Sequence, residues 1–329
     1  MGARPARHRS RALLLLTAVL VSALTACSAL GGAPGGPAVG APEKPQLRLG
    51  VLPIVDVAHL QHAQAAGYFA AEGLTVDLVT VQGGSAALPR LRGGDLDLTF
   101  TNYVSALLEQ SQGLGDFRFV DGGYKAARGM LTIVTGPASG IRSPQDLAGK
   151  RIAVNTVRNI IELTARSALE AAGVAPDSVR FVEVPFPDMA TALQDGRADA
   201  AFMVEPFITQ AALSSGTIGV LDAASGPTNG IPLGGVAVTA RFAATYPRTV
   251  AAFRRAVARA QADMADRSVV ERTLPTYTKI SPDTASLIAL GTWPATLDGV
   301  RLQRDVDLMR EFGVLTTAVD PARLVLPPG

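Results

Sequence analysis

His59 and His62 stand three residues apart in a stretch of helical pattern, and Asp56 precedes His59 by the same interval. On a helix that spacing puts side chains on one face, where two imidazoles can share a metal ion. Asp56 is the sole third ligand nearby in sequence, so the trio falls short of a metal signature and no metal is expected. Nucleophiles are as scarce. The chain has one cysteine, Cys27, and no G-x-S-x-G elbow, P-loop or G-x-G-x-x-G run. Neither catalysis nor a resident cofactor is expected. What remains are groups suited to binding: Asp56, His59, Gly84, Ser85, Thr101, Asn102, Tyr103, Asn155, Thr156, Arg158 and Glu205.

These groups fall at the carboxyl ends of predicted strands, where open α/β sheets bind ligands. After Pro45, short β-branched runs alternate with helical stretches, the pattern of βαβ units and a largely parallel sheet. Gln46 to Leu52, Thr75 to Val81 and Leu96 to Phe100 read as strands, and Val57 to Ala71 as a helix stopped at Gly73, with Leu74 packing back. A second series adds strands at Gly129 to Thr135, Arg151 to Asn155, Val179 to Val184, Asp199 to Val204 and Gly234 to Thr239. Its helices are Asn159 to Ala172, stopped by Gly173, and Met189 to Gln194. The rest is helical: Pro247 to Asp266, Asp283 to Leu290 and Leu302 to Phe312. A helical tail needs a sheet to cover, so it is expected to return to the first lobe. Chain crossings then fall near Arg128-Gly129-Met130 and Gly234-Gly235-Val236, with residues 46–128 plus 237–329 as lobe 1 and 129–236 as lobe 2.

Within the candidate set several chemistries stay open. Ser85, Thr101, Asn102 and Thr156 are capable helix caps. Converging helix N-termini would instead offer N–H donors to an anion, with Arg158 adding a bidentate contact. Asp56 and Glu205 would hold an ammonium group, which brings in zwitterions, while Glu205 also fits as the residue ahead of Pro206 at a helix start. Tyr103 and Tyr124 suit stacking or core packing, and Trp293 a cleft wall or a plug of the tail against the lobe.

Thirty Lys and Arg balance twenty-eight Asp and Glu, and 48% of residues are hydrophobic, so the chain folds around a real core. Basic residues from Arg4 to Arg11 lead into the apolar stretch Ala12 to Ala26, the layout of a secretory signal over residues 1–26. No basic run follows that would neutralise a row of phosphates, so nucleic acid is not an expected partner. Leu24-Thr25-Ala26-Cys27 resembles the bacterial lipobox, which implies a diacylglycerol anchor on Cys27. The Gly, Ala and Pro-rich stretch that follows, within 27–45, reads as a tether spanning about 20–25 Å. The body is thus expected just outside a membrane.

An ordered set of motifs carries a family likeness. It comprises Gly67-Tyr68-Phe69-Ala70-Ala71-Glu72-Gly73-Leu74, Gly83-Gly84, Gly94-Asp95-Leu96-Asp97-Leu98, the run from Ser143 to Val154, the run from Ala192 to Ala200, and Glu205-Pro206. Together they resemble the substrate-binding proteins of ABC importers for nitrate, sulfonates and taurine, whose fold is shared with binding proteins for thiamine pyrimidine precursors. The resemblance implies a type II periplasmic-binding-protein fold: two α/β lobes closing on a small solute, with permease and ATPase subunits as partners. It departs at Asn155-Thr156-Val157-Arg158-Asn159, where many relatives carry a Gly-Ser pair. The same fold hosts cytoplasmic enzymes of menaquinone and pyrimidine pathways, and a surface lipoprotein that senses solute without a transporter is a third possibility.

Overall fold

The computed structural model describes residues 1–2 and 40–326; the expected leader, Cys27 and most of the tether lie outside them. The described residues hold eleven strands. In chain order these are β1 (Gln46–Val51), β2 (Thr75–Thr80), β3 (Leu98–Asn102), β4 (Phe117–Phe119), β5 (Tyr124–Lys125) and β6 (Leu131–Thr135). They continue with β7 (Arg151–Val154), β8 (Arg180–Glu183), β9 (Ala200–Val204), β10 (Ile218–Asp222) and β11 (Pro232–Thr239). One sheet runs β2-β1-β3-β11-β4, with β5 also on β11, and the other β10-β6-β9-β7-β8. Each has three parallel strands, followed by an antiparallel one that arrives from the other lobe. Parallel strands are covered by helices on both faces, which demands continuous apolar runs. β9, reading AAFMV, is buried throughout.

The two lobes fasten these strands in the same way. Asp97, just ahead of β3, donates its N–H to the Arg48 carbonyl at 2.9 Å and accepts the Arg48 N–H at 3.0 Å. Asp199, just ahead of β9, repeats the exchange with Arg151 at 2.9 and 2.8 Å. Two of the family motifs are therefore clamps at the amino ends of strands.

Gly73 has φ of +74°. Beyond it the Leu74 N–H reaches back to the Phe69 carbonyl at 2.9 Å and its side chain is buried, the stop read from the sequence. Alanine there would hold a left-handed conformation at about 1–2 kcal/mol. Gly73→Ala is expected to lower the urea midpoint by that much with an unchanged m-value. The helix expected to precede this stop is divided into a short turn at Val55–Val57 and helices Ala58–Ala65 and Tyr68–Ala71.

From residue 41 onward the chain forms one compact unit. The outward crossing occupies 126–130 and includes Arg128-Gly129-Met130. The return crossing occupies 223–231, earlier than expected, which moves that boundary ahead of β11. Gly234 and Gly235 already pair with Asn102 and Thr101. Their smallness serves close approach: a Cβ on Gly235 would sit 2.5 Å from the Asp121 Oδ1. The tail returns to the first lobe. Helix Pro247–Asp263 packs on Ala58–Ala65 and Tyr68–Ala71, with Phe253 stacked on Phe69 at 5.4 Å. Helix Gly299–Glu311 packs on Tyr103–Ser111 and also reaches Ile160–Ala171 of the second lobe. No described helix is long and apolar enough to cross a membrane.

Candidate ligand-binding site

The carboxyl ends of the parallel strands in both sheets face one another across a cavity of about 50 Å³. The first lobe contributes Leu52, Ile54 and Asp56 after β1, Gly84 after β2, and Phe100 and Asn102 from β3. The second contributes Asn155, Asn159, Ile160 and Ile161 after β7, Phe186 after β8 and Val204 from β9; Leu131 and Leu233 come from strands that change lobe. The wall is mainly apolar, with three asparagines. Asp56 is its one charged group among the described residues.

The side chain of Asp56 has no side-chain partner among the described residues. Its residue is 7% exposed, and the one donor to its carboxylate among the described residues is its own backbone N–H. Burial pushes its pKa up from the usual carboxylate range to about 7. Its backbone is held firmly instead. The Trp293 indole N–H donates to the Asp56 carbonyl at 2.9 Å, and His59 Nδ1 lies 3.1 Å from the same oxygen. His59 Nε2 in turn stands 3.2 Å from the Asp121 carboxylate, with neither side chain exposed. Asp121 also accepts the Val236 N–H at 2.8 Å, so the chain of contacts runs from the Asp56 loop to β11. Trp293 packs on buried Tyr124, centroids 4.7 Å apart, behind the loop and not in the cavity wall.

Of the residues singled out from the sequence, Asp56, Gly84, Asn102 and Asn155 line the cavity together. The others have different tasks. His59 is a buried partner of Asp121, and His62 turns to Asp263 at 2.8 Å, so the two imidazoles serve different carboxylates. Tyr103 is core, edge-on to Phe119 at 4.5 Å, and Thr101 is buried in β3 beneath Gly84. Ser85 accepts the Ser105 hydroxyl at 3.0 Å. Thr156 lies across the cleft beside Gly83. Arg158 is exposed, outside the wall. Glu205 is buried but occupied. It accepts from the Thr209 hydroxyl at 2.8 Å, the Thr209 N–H at 3.1 Å and the Ala289 N–H at 3.2 Å, which leaves it as a brace between second lobe and tail. Its carbonyl also accepts the Val55 N–H at 3.3 Å, joining the loops on either side of the cleft.

Sequence reasoning missed the apolar wall and Asn159. The strand-end rule that found Asn155 also reaches Phe186, which follows β8. Asn159 was marked as a helix start and caps that helix, accepting from Ile161 and Glu162 N–H at 3.0 and 3.2 Å. Asn102 does the same for Ser105 at 2.8 Å.

Three solved structures share this architecture. One is the alkanesulfonate-binding protein SsuA from Xanthomonas axonopodis pv. citri, bound to MOPS (TM-score 0.74, 19% identity, 86% of this chain and 99% of that one). Another is the periplasmic nitrate-binding protein NrtA from Synechocystis PCC 6803 (TM-score 0.74, 14% identity, 86% and 85%). A third is the ligand-binding component of an ABC-type import system from Staphylococcus aureus with zinc bound (TM-score 0.75, 14% identity, 86% and 97%). At these identities the likeness establishes the periplasmic-binding-protein fold. A search among curated proteins finds no match. The sequence itself matches the NMT1/THI5-like family over residues 55–268, from the Asp56 loop through both sheets and into the tail. A match over more than half of the chain makes it a member of the NMT1/THI5-like family.

Proposed function

We propose that this protein is an extracytoplasmic solute-binding lipoprotein of an ABC importer. In this reading Cys27 carries the lipid, the stretch to Pro45 is the tether, and the body captures a small solute and hands it to the permease, which the ATPase subunits drive. One observation carries the reading: strand-end loops of two separate sheets converge on a single cavity, so a bound molecule touches both lobes. Such a ligand favours the closed arrangement by the difference between its contacts in the two states. Neighbours named for sulfonate, nitrate and ABC import support it, and so does the leader pattern.

Small-angle scattering with and without a saturating solute tests the clamp: compaction on binding is the expected result. A solute at 100 times its Kd is also expected to add about 2.7 kcal/mol of stability. Chemical turnover of that solute by the protein alone would overturn the reading in favour of the biosynthetic enzymes that share the fold. For the anchor, Cys27→Ser is expected to shift the protein from the membrane fraction to the soluble extracytoplasmic one.

A further inference from the structure

We propose that the solute is a small organic cation, its protonated nitrogen seated on the Asp56 carboxylate and its compact apolar body held between the lobes. This rests on the solute-binding reading above and supplies the charge class which that reading leaves open. Asp56 is more than nine-tenths buried, lines the cavity and, among the described residues, receives a hydrogen bond only from its own backbone N–H, with no side chain or cation paired to it. A carboxylate out of water and without a counter-charge is costly. A ligand N–H⁺ at hydrogen-bond distance would satisfy its lone pairs and cancel its charge together.

The rest of the wall suits such a molecule. Leu52, Ile54, Phe100 and Phe186 offer apolar contact. Asn102 and Asn155 use their amide oxygens on Ser105 and Asn159, which leaves each an amide N–H₂ for a neutral acceptor on the ligand. An anion meets the reverse conditions. No Lys or Arg is among the described lining residues, and a sulfonate or nitrate beside Asp56 would face like charge in a low dielectric. The helix N-termini at Asn102 and Asn159 are already capped by their own side chains. Helix Gly84–Arg92 begins without a side-chain cap, yet the roughly half charge of a helix end does not outweigh a full carboxylate.

The test is calorimetry and thermal shift on the full chain in detergent, near pH 8. Asp56 is ionised there, above the value of about 7 that burial gives it. The titratable groups around it are Tyr124 and Tyr277, both pushed further up by burial and neutral at that pH, and Glu205. Matched probes are propylammonium, ethanolammonium and choline against propanol, taurine, propanesulfonate and nitrate. Binding by at least one of the cations is expected, together with a loss of about thirtyfold or more in Asp56→Asn, while circular dichroism shows that variant folded. Tighter binding of taurine or either anion than of any cation would overturn the proposal and leave the solute-binding reading intact. So would an unchanged cation affinity in Asp56→Asn. No binding by any probe at millimolar concentration would overturn the solute-binding reading itself.

Discussion

Replacing Asp121 with alanine is expected to lower folding stability by about 2–6 kcal/mol, about 1–3 kcal/mol for each of the two buried groups left unpaired. His59 Nδ1 faces a carbonyl oxygen and Nε2 a carboxylate, at 3.1 and 3.2 Å. The buried ring thereby bridges the Asp56 carbonyl and the Asp121 carboxylate. Alanine would leave a nitrogen of the fully buried ring without its partner and take away the acceptor of the Val236 N–H. Asp121→Asn should behave differently. Its amide oxygen keeps Val236, while its N–H₂ faces His59 Nε2 and the ring still reaches the Asp56 carbonyl through Nδ1. With every group satisfied, the cost should stay below about 1.5 kcal/mol. Urea unfolding of the two variants decides the matter, and equal losses would contradict this account. Because His59 steadies the Asp56 carbonyl, Asp121→Ala should also weaken solute binding.

Asp56→Asn should have the opposite effect on stability, and pH should reveal it. Burial lifts the Asp56 pKa from 3.8 to about 7 in the folded protein, so folding favours the protonated carboxyl. That contribution is complete below the unfolded-state value and is lost as pH rises through about 7. Over roughly three pKa units the loss approaches 4 kcal/mol at 1.36 kcal/mol each. The asparagine variant does not titrate. Its stability relative to the parent should therefore improve by about 4 kcal/mol between pH 4 and pH 8. Paired denaturation curves across that range check it, and a gap that stays flat with pH would refute it. The residue predicted to be indispensable for binding is thus also the one whose charge most burdens the solute-free fold.

Local signals made much of this legible in advance. The left-handed stop at Gly73 and the helix starting after Asn159 depend on a few consecutive residues, and both appear where the sequence put them. The second crossing was misplaced because Gly234 and Gly235 look like hinge residues from their neighbours alone. Their purpose, room for Asp121 and Thr101, arises from strands more than a hundred positions away. The cavity wall was legible in part. Asp56, Gly84, Asn102 and Asn155 were found because strand ends can be read from pattern, whereas Leu131 and Leu233 reach the cavity only through the exchange of strands between lobes. Glu205 and Arg158 have the right chemistry for ligands, but their orientation is set by Thr209, by Ala289 and by an exposed loop.

The paired aspartate clamps at Asp97 and Asp199 grip their strands at the end remote from the cavity. Whatever keeps the architecture upright is thereby separated from whatever chooses the cargo. Neither clamp draws on a residue that lines the cavity. A scaffold arranged in this way allows its clientele to change from one charge class to another while its recognisable signature stays the same.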